Sequence, residues 1–257
     1  MRRLSLLLVG LLIVSGAVGA REIRLPQEGL LQGDVIIAPA FEERLGREMV
    51  EIEFQAWPGD KGVRAASWFT TRILAQPGDV IVIEPGTYEM QLWIFTDRVT
   101  LMTEPGTEEM AIVRGTVEVD ADGVVLERIG VTNSSNETDS GHGIEVNGDI
   151  AKTITIRGCR SFGNRWTGIH MIGRTTMMRE MRVIDCELVD NGMDGLDSKF
   201  MQLLYISGST ITGNGWDLSN GVGVRVGSCV EDVVIENCVI ENNRSADVYG
   251  WEGNRDG

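Results

Sequence analysis

From residue 78 onward, apolar and polar residues alternate in short runs, broken every few positions by glycine, asparagine or aspartate. Alternation of this kind predicts short strands with one face buried. The stretch Gly78–Glu89 predicts a buried strand followed by a turn. Further strands are expected at Gln91–Phe95, Val99–Thr103, Ala111–Val113, Val117–Val119 and Val124–Glu127, all carrying β-branched residues. Ala65 to Ala75 differs: its apolar residues fall at helical spacing and predict a short amphipathic helix. Ser134–Ser140 predicts a polar loop, and residues 21–60 give no clear element.

From residue 141 the alternation becomes a repeat. The phrases GHGIEV, WTGIHM, MDGLDS, GVGVRV and SADVYG recur with anchors Gly143, Gly168, Gly195, Gly223 and Asp247, which lie 25, 27, 28 and 24 residues apart. All but the first follow a second phrase, which ends in turn at Asn164, Asn191, Asn214 and Asn243. A fixed period of this length marks a solenoid, whose repeats bury their apolar faces by stacking on one another. Ile144, Ile169, Leu196, Val224 and Val248 are expected to point inward, and Glu145, His170, Asp197, Arg225 and Tyr249 outward. The repeated Asn reads as a stacked ladder, because Asn tolerates tight turns and can bond its neighbour's amide.

Short parallel strands, Gly-rich turns and coils of this size predict an all-β fold, a right-handed parallel β-helix. The hand follows from the rule for parallel crossovers. The helix at 65–75 would cap the open first coil. The expected organisation is a leader at 1–20, an N-terminal segment at 21–60 and a β-helix domain over 61–257. The chain stops soon after a coil phrase with no apolar capping segment, which predicts a truncated or continuing domain.

Arg2 and Arg3 precede an apolar run that ends at Val18-Gly19-Ala20. This pattern predicts a cleaved secretory signal and a secreted protein, extracellular or periplasmic. No later stretch is long and apolar enough to predict a transmembrane segment. The net charge is −15, and −17 once Arg2 and Arg3 leave with the signal. Such a balance argues against nucleic acid or anionic lipid as partners. It also repels acidic polysaccharides unless cations act locally. The expected form is a monomer.

The four cysteines give no disulfide framework. Cys159, Cys186 and Cys238 share one column, with Ser209 in the coil between. Coils stack at roughly 4.8 Å, so Cys186 and Cys238 are too far apart to bond, while Cys159 and Cys186 are close enough but in-register side chains point in parallel. These three are expected to pack as buried thiols. Cys229 falls in a turn.

The outward column carries the candidate chemistry. Beside it runs a turn column of His142, Thr167, Asp194, Val222 and Ala246. Two residues beyond it lie Asn147, Ile172, Lys199, Gly227 and Trp251, with Trp166 and Trp216 at the border. Both histidines of the chain lie here. Asp194 and Asp197 read either as the start of a Ca²⁺ site, which needs about six to eight oxygens, or as a turn Asp and a strand Asp. Arg225 has the planar fork to hold a carboxylate, but its pKa, above about 12, makes it a poor base. His170 has the better ordinary pKa for a base, and Lys199 is a further candidate. These charged residues could equally be solvated side chains. Trp166 and Trp251 would stack on sugar rings or pack turns. His142, Glu145 and Tyr249 complete the expected substrate face.

The repeats and the entry sequence GDVIVIEPGTYE resemble the pectate-lyase-like superfamily over roughly residues 60–257. Locally, Asn191-Gly-Met-Asp-Gly-Leu-Asp-Ser-Lys199 is similar to the calcium-binding Asp-Asp-Gly-x-Asp segment of family 9 pectate lyases. Asn220-Gly-Val-Gly-Val-Arg-Val-Gly-Ser228 is similar to the segment with that family's catalytic lysine. The resemblance implies Asp194 and Asp197 as calcium ligands and Arg225 at the position of the base. Met193 and Thr167 stand where further carboxylates would be.

Three functions fit these residues. β-Elimination of a uronate polymer needs a base at C5 and positive charge on the carboxylate. A non-catalytic carbohydrate-binding β-helix needs only the face. A polygalacturonase-like hydrolase would use Asp194 with Asp197, or Asp197 with Glu145, as acid and base. The shared expectation is a secreted β-helix acting on, or binding, acidic polysaccharide.

Overall fold

The computed structural model describes residues 21–25, 33–39, 70–133, 141–172, 176–217, 220–227 and 229–250. The expected leader at 1–20, the expected loop at 134–140, Trp251 and residues 254–257 lie outside these. Every strand pair among the described residues is parallel, and each coil visits three sheets in turn.

The first sheet has eight strands, stacked from Glu22–Arg24 and Val80–Ile83 to Met201–Ser207 and Val230–Glu236. The second has seven, from Gly86–Tyr88 to Val239–Glu241. The third has nine and carries the candidate chemistry. Its strands run from Thr70–Ala75 and Gly33–Pro39 through Met90–Ile94, Val117–Val119, Ile144–Asn147, Ile169–Ile172, Leu196–Ser198 and Val222–Val226 to Ala246–Gly250.

Alternation places the core as expected as far as Val224, whereas Val248, on the last described strand, is exposed. Leu92, Val117, Ile144, Ile169, Leu196 and Val224 occupy successive rungs of the third sheet and are fully buried. Ile81, Leu101, Leu126, Ile156, Val183 and Ile206 do the same on the first sheet. Burial of such side chains contributes roughly 1.5–3 kcal/mol each. Cys159 and Cys186 are buried free thiols, Cys238 is half-buried and Cys229 exposed.

The bend between the first and second sheets is made by one residue per coil in the left-handed region. Arg128, Gly158, Asp185, Gly208 and Asn237 hold it with φ of 54°, 57°, 52°, 59° and 55°. Gly and Asx residues tolerate this conformation best.

One expectation is corrected. Thr70–Ala75 is a strand, not the second half of a helix, and it pairs along its length with Gly33–Pro39. The β-branched Thr70, Thr71 and Ile73 suit a strand, and an open sheet edge supplies partners that local spacing cannot reveal. Residues 65–69 lie outside the described part. Gly33–Pro39, inside the segment that gave no clear element, also pairs with Met90–Ile94. Among the described residues no helix is long and apolar enough to cross a membrane.

Candidate functional site

The two recurring phrases are one device. A Cβ on Gly143, Gly168, Gly195 or Gly223 would lie 2.4–2.7 Å from the next coil's carbonyl oxygen and 2.7–2.9 Å from an Asn side-chain nitrogen. Glycine at the anchor therefore makes room for the Asn. Each Asn of the ladder accepts from the previous one: Asn164 Nδ2 to Asn191 Oδ1 at 2.7 Å, Asn191 Nδ2 to Asn214 Oδ1 at 2.9 Å, and Asn214 Nδ2 to Asn243 Oδ1 at 2.8 Å. This ladder fixes the start of each site strand.

The strands then set the outward column in direct register: Glu145 beside His170, His170 beside Asp197, Asp197 beside Arg225, Arg225 beside Tyr249. Two more members lie toward the N-terminus, Trp93 and Glu118. Trp93 Nε1 donates to Glu118 Oε2 at 2.7 Å. Sequence reasoning missed this pair because those coils have Gln91 and Thr116 where later coils have glycine. The signal that finds them is the 27-residue step from Val117-Glu118-Val119 to Ile144-Glu145-Val146.

His142, Glu145, His170, Asp197 and Lys199 form a first cluster. The His142 and His170 rings stack with centroids 4.0 Å apart at 19°, and Trp166 meets His142 edge-on at 5.2 Å. Glu145 Oε1 lies 3.8 Å from His142 Nε2 and 3.7 Å from His170 Nδ1. His170 Nε2 lies 3.7 Å from Asp197 Oδ2, to which Lys199 Nζ pairs at 2.8 Å. The Thr167 amide donates to His142 Nδ1 at 3.2 Å. His142, Glu145 and Asp197 are nearly buried, at 6%, 7% and 5% exposure.

Asp194, Arg225 and Tyr249 form a second cluster. Asp194 is fully buried and accepts from Arg225 Nε and Nη2, at 2.7 and 2.9 Å, and from the Val222 amide at 2.8 Å. Arg225 Nη2 also donates to the Asn220 carbonyl at 2.9 Å, and the guanidinium lies 5.5 Å from the Tyr249 ring centre. The hydrogen bonds to Asp194 raise the Arg225 pKa beyond its ordinary value, against the lowering effect of burial. Arg225 is thus a fixed charge and a still poorer base than arginine ordinarily is.

This pairing bears on calcium. Both Asp194 oxygens are taken by Arg225, one of them also by a backbone amide, so a Ca²⁺ ion on Asp194 would have to displace those bonds. The bordering aromatics Trp166, Trp216 and Tyr249 are all exposed, and Trp216 is in addition tied by its Nε1 to the Asp190 carbonyl at 2.7 Å.

Residues 142–254 match the family model described as "Right handed beta helix region". No curated protein and no solved structure matches the chain. The matched residues are the coils that build the Asn ladder and most of the outward column, and their parallel three-sheet stacking agrees with that description: the described residues form a parallel β-helix.

Proposed function

We propose that the chain binds an extended acidic polysaccharide along the outward column of the nine-stranded sheet. The continuity of that column carries the reading. Trp93, Glu118, Glu145, His170, Asp197, Arg225 and Tyr249 stand in register on seven successive strands. At roughly 4.8 Å per strand, they form a track long enough for several sugar rings. Tyr249 and Trp166 offer exposed aromatic faces against which rings can pack.

Charge decides the character of the binding. Arg225 spends its fork on Asp194 and Lys199 pairs with Asp197, so both act as fixed charges beside the track and neither is set up to remove a proton. Carboxylates outnumber these two fixed cations in the column, so an acidic chain would bind with the help of a bridging cation. The arrangement favours binding over β-elimination.

Affinity electrophoresis of the mature protein through polygalacturonate and alginate, with and without added divalent cations, tests this. Cation-dependent retardation that weakens in Lys199→Ala and Trp166→Ala is expected. Unretarded migration in every uronate would overturn the reading. Unsaturated product, seen by ultraviolet absorbance, would make the protein a lyase, and new reducing ends without unsaturation a hydrolase.

A further inference from the structure

We infer that His142, Glu145 and His170 form a binding site for a divalent transition-metal ion of the zinc class. Its ligands are other than Asp194 and Asp197, and it stands whether or not a polysaccharide binds the column.

Donor type comes first. Two imidazoles and one carboxylate suit zinc and its first-row neighbours, whereas calcium takes oxygen donors only. Geometry is the second support. One ligand atom from each residue lies within 4.8 Å of the other two. The Glu145 Oε1 separations of 3.8 and 3.7 Å from the two imidazole nitrogens are too long for hydrogen bonds. They are close to the spacing of donors that share one ion through bonds of about 2.0–2.2 Å.

The third support is His170 itself. Its Nδ1 is buried and has no hydrogen-bond partner. The opposite nitrogen, Nε2, faces Asp197 Oδ2, and that carboxylate is braced by Lys199 at 2.8 Å. A histidine that ligates a metal usually donates its other ring N–H to a carboxylate; Asp197 stands on that side of the ring, at 3.7 Å and so short of a formed hydrogen bond. Asp197 Oδ1 is also buried without a hydrogen-bond partner. The stacked rings, with Trp166 against His142, hold both imidazoles in place. Glu118, in register with Glu145, adds negative charge beside the cation.

Coordination also moves a proton. Because the Thr167 amide donates to Nδ1 of His142, the neutral ring carries its proton on Nε2. An ion on Nε2 requires that proton to transfer to Nδ1, so the ring stays neutral and the Thr167 hydrogen bond is lost. Metal binding therefore has a local signature that a surface ion would not produce.

The test is titration of the full chain with Zn²⁺, in a Cys229→Ser background because that exposed thiol is itself a soft ligand. One ion per chain and a higher melting temperature are expected, with no competition from Ca²⁺. Glu145→Gln and His170→Gln should each weaken binding by more than about 100-fold, beyond the 10–100-fold typical of supporting residues. Absence of binding, equal competition by Ca²⁺, or binding untouched by both substitutions would overturn the proposal. Should the variants fail to fold, nitrogen NMR of the unsubstituted chain decides. Zinc should move the ring nitrogens of His142 and His170 and the Thr167 amide, and unmoved signals would overturn it. No sugar enters these measurements, so zinc binding without uronate binding would reject only the polysaccharide reading.

Discussion

Arg225 closes on Asp194 with two parallel hydrogen bonds, although the residue opposite it in the ladder is Asp197. The guanidinium reaches diagonally to a turn residue of the preceding coil. Asp194 is fully buried there, and its remaining hydrogen bond comes from the Val222 amide. The pair therefore ties the turn of one coil to the strand of the next.

Removing Arg225 should destabilise the chain more than removing Asp194. Arg225→Ala strands a buried carboxylate, a defect that costs about 3–5 kcal/mol. Asp194→Ala leaves a partly exposed guanidinium, which can turn to water. Chemical denaturation of both single variants and the double variant checks this. The double variant should recover part of the loss of Arg225→Ala, and strict additivity would show that the pair is not coupled.

Alanine at a glycine anchor should be costly even though these backbones need no unusual φ. A Cβ at Gly168 would sit 2.6 Å from the Gly195 carbonyl oxygen and 2.8 Å from Asn191 Nδ2. Overpacking of this kind costs typically about 1–3 kcal/mol. Asn191→Ala should cost at least as much, because it orphans the buried Asn164 amide and removes one of the two partners of the Asn164 Nδ2, at about 1–3 kcal/mol per group. Melting temperatures read both, and an unchanged value for either variant would refute the shared device.

Acid should weaken the first sheet through Asp79. Burial pushes its carboxyl up, but Arg21, at 2.5 and 3.1 Å, and the Gln76 amide outweigh burial and bring it below the ordinary value. The folded chain thus keeps Asp79 ionised where the unfolded chain has taken up a proton. Its contribution is full above about pH 4 and fades as pH falls through the folded value. The stability difference between the native chain and Asp79→Asn should be present at neutral pH and shrink below about pH 4.

Alkali should act through the buried thiols. Desolvation pushes Cys186 up to about 12, and Cys159 rises for the same reason. Unfolded thiols ionise near about 8.5, so this contribution is full below that pH and is lost as pH rises toward the folded value. Melting temperature should fall above about pH 9, less steeply in Cys186→Ala. A thiol reagent should find Cys229 first in the folded chain, and equal reactivity at Cys159 would contradict its burial.

The columns from residue 141 onward were legible because each coil repeats a glycine, an asparagine and an alternating strand. Those marks place Glu145, His170, Asp197, Arg225 and Tyr249 in the register the strands adopt. Earlier coils replace the glycine, which hid Trp93 and Glu118. The strand at Thr70–Ala75 was masked by apolar spacing that a helix shares, and only its sheet partner distinguishes the two. Alternation assigns faces but not the reach of long side chains. The diagonal pairing of Arg225 with Asp194, and the convergence of two histidines on one glutamate, depend on that reach.

The Asn ladder makes the coil, rather than the residue, the natural unit of change. Excising residues 168–194 would remove one complete repeat and leave Asn164 leading into Gly195. The core would restack with the same anchors, yet Glu145 would now face Asp197, a like-charge pair that opposes stacking. Gain or loss of whole coils can therefore rewrite the chemistry of the face while the interior stays the same, and the order of residues along the column becomes a record of which coils were kept.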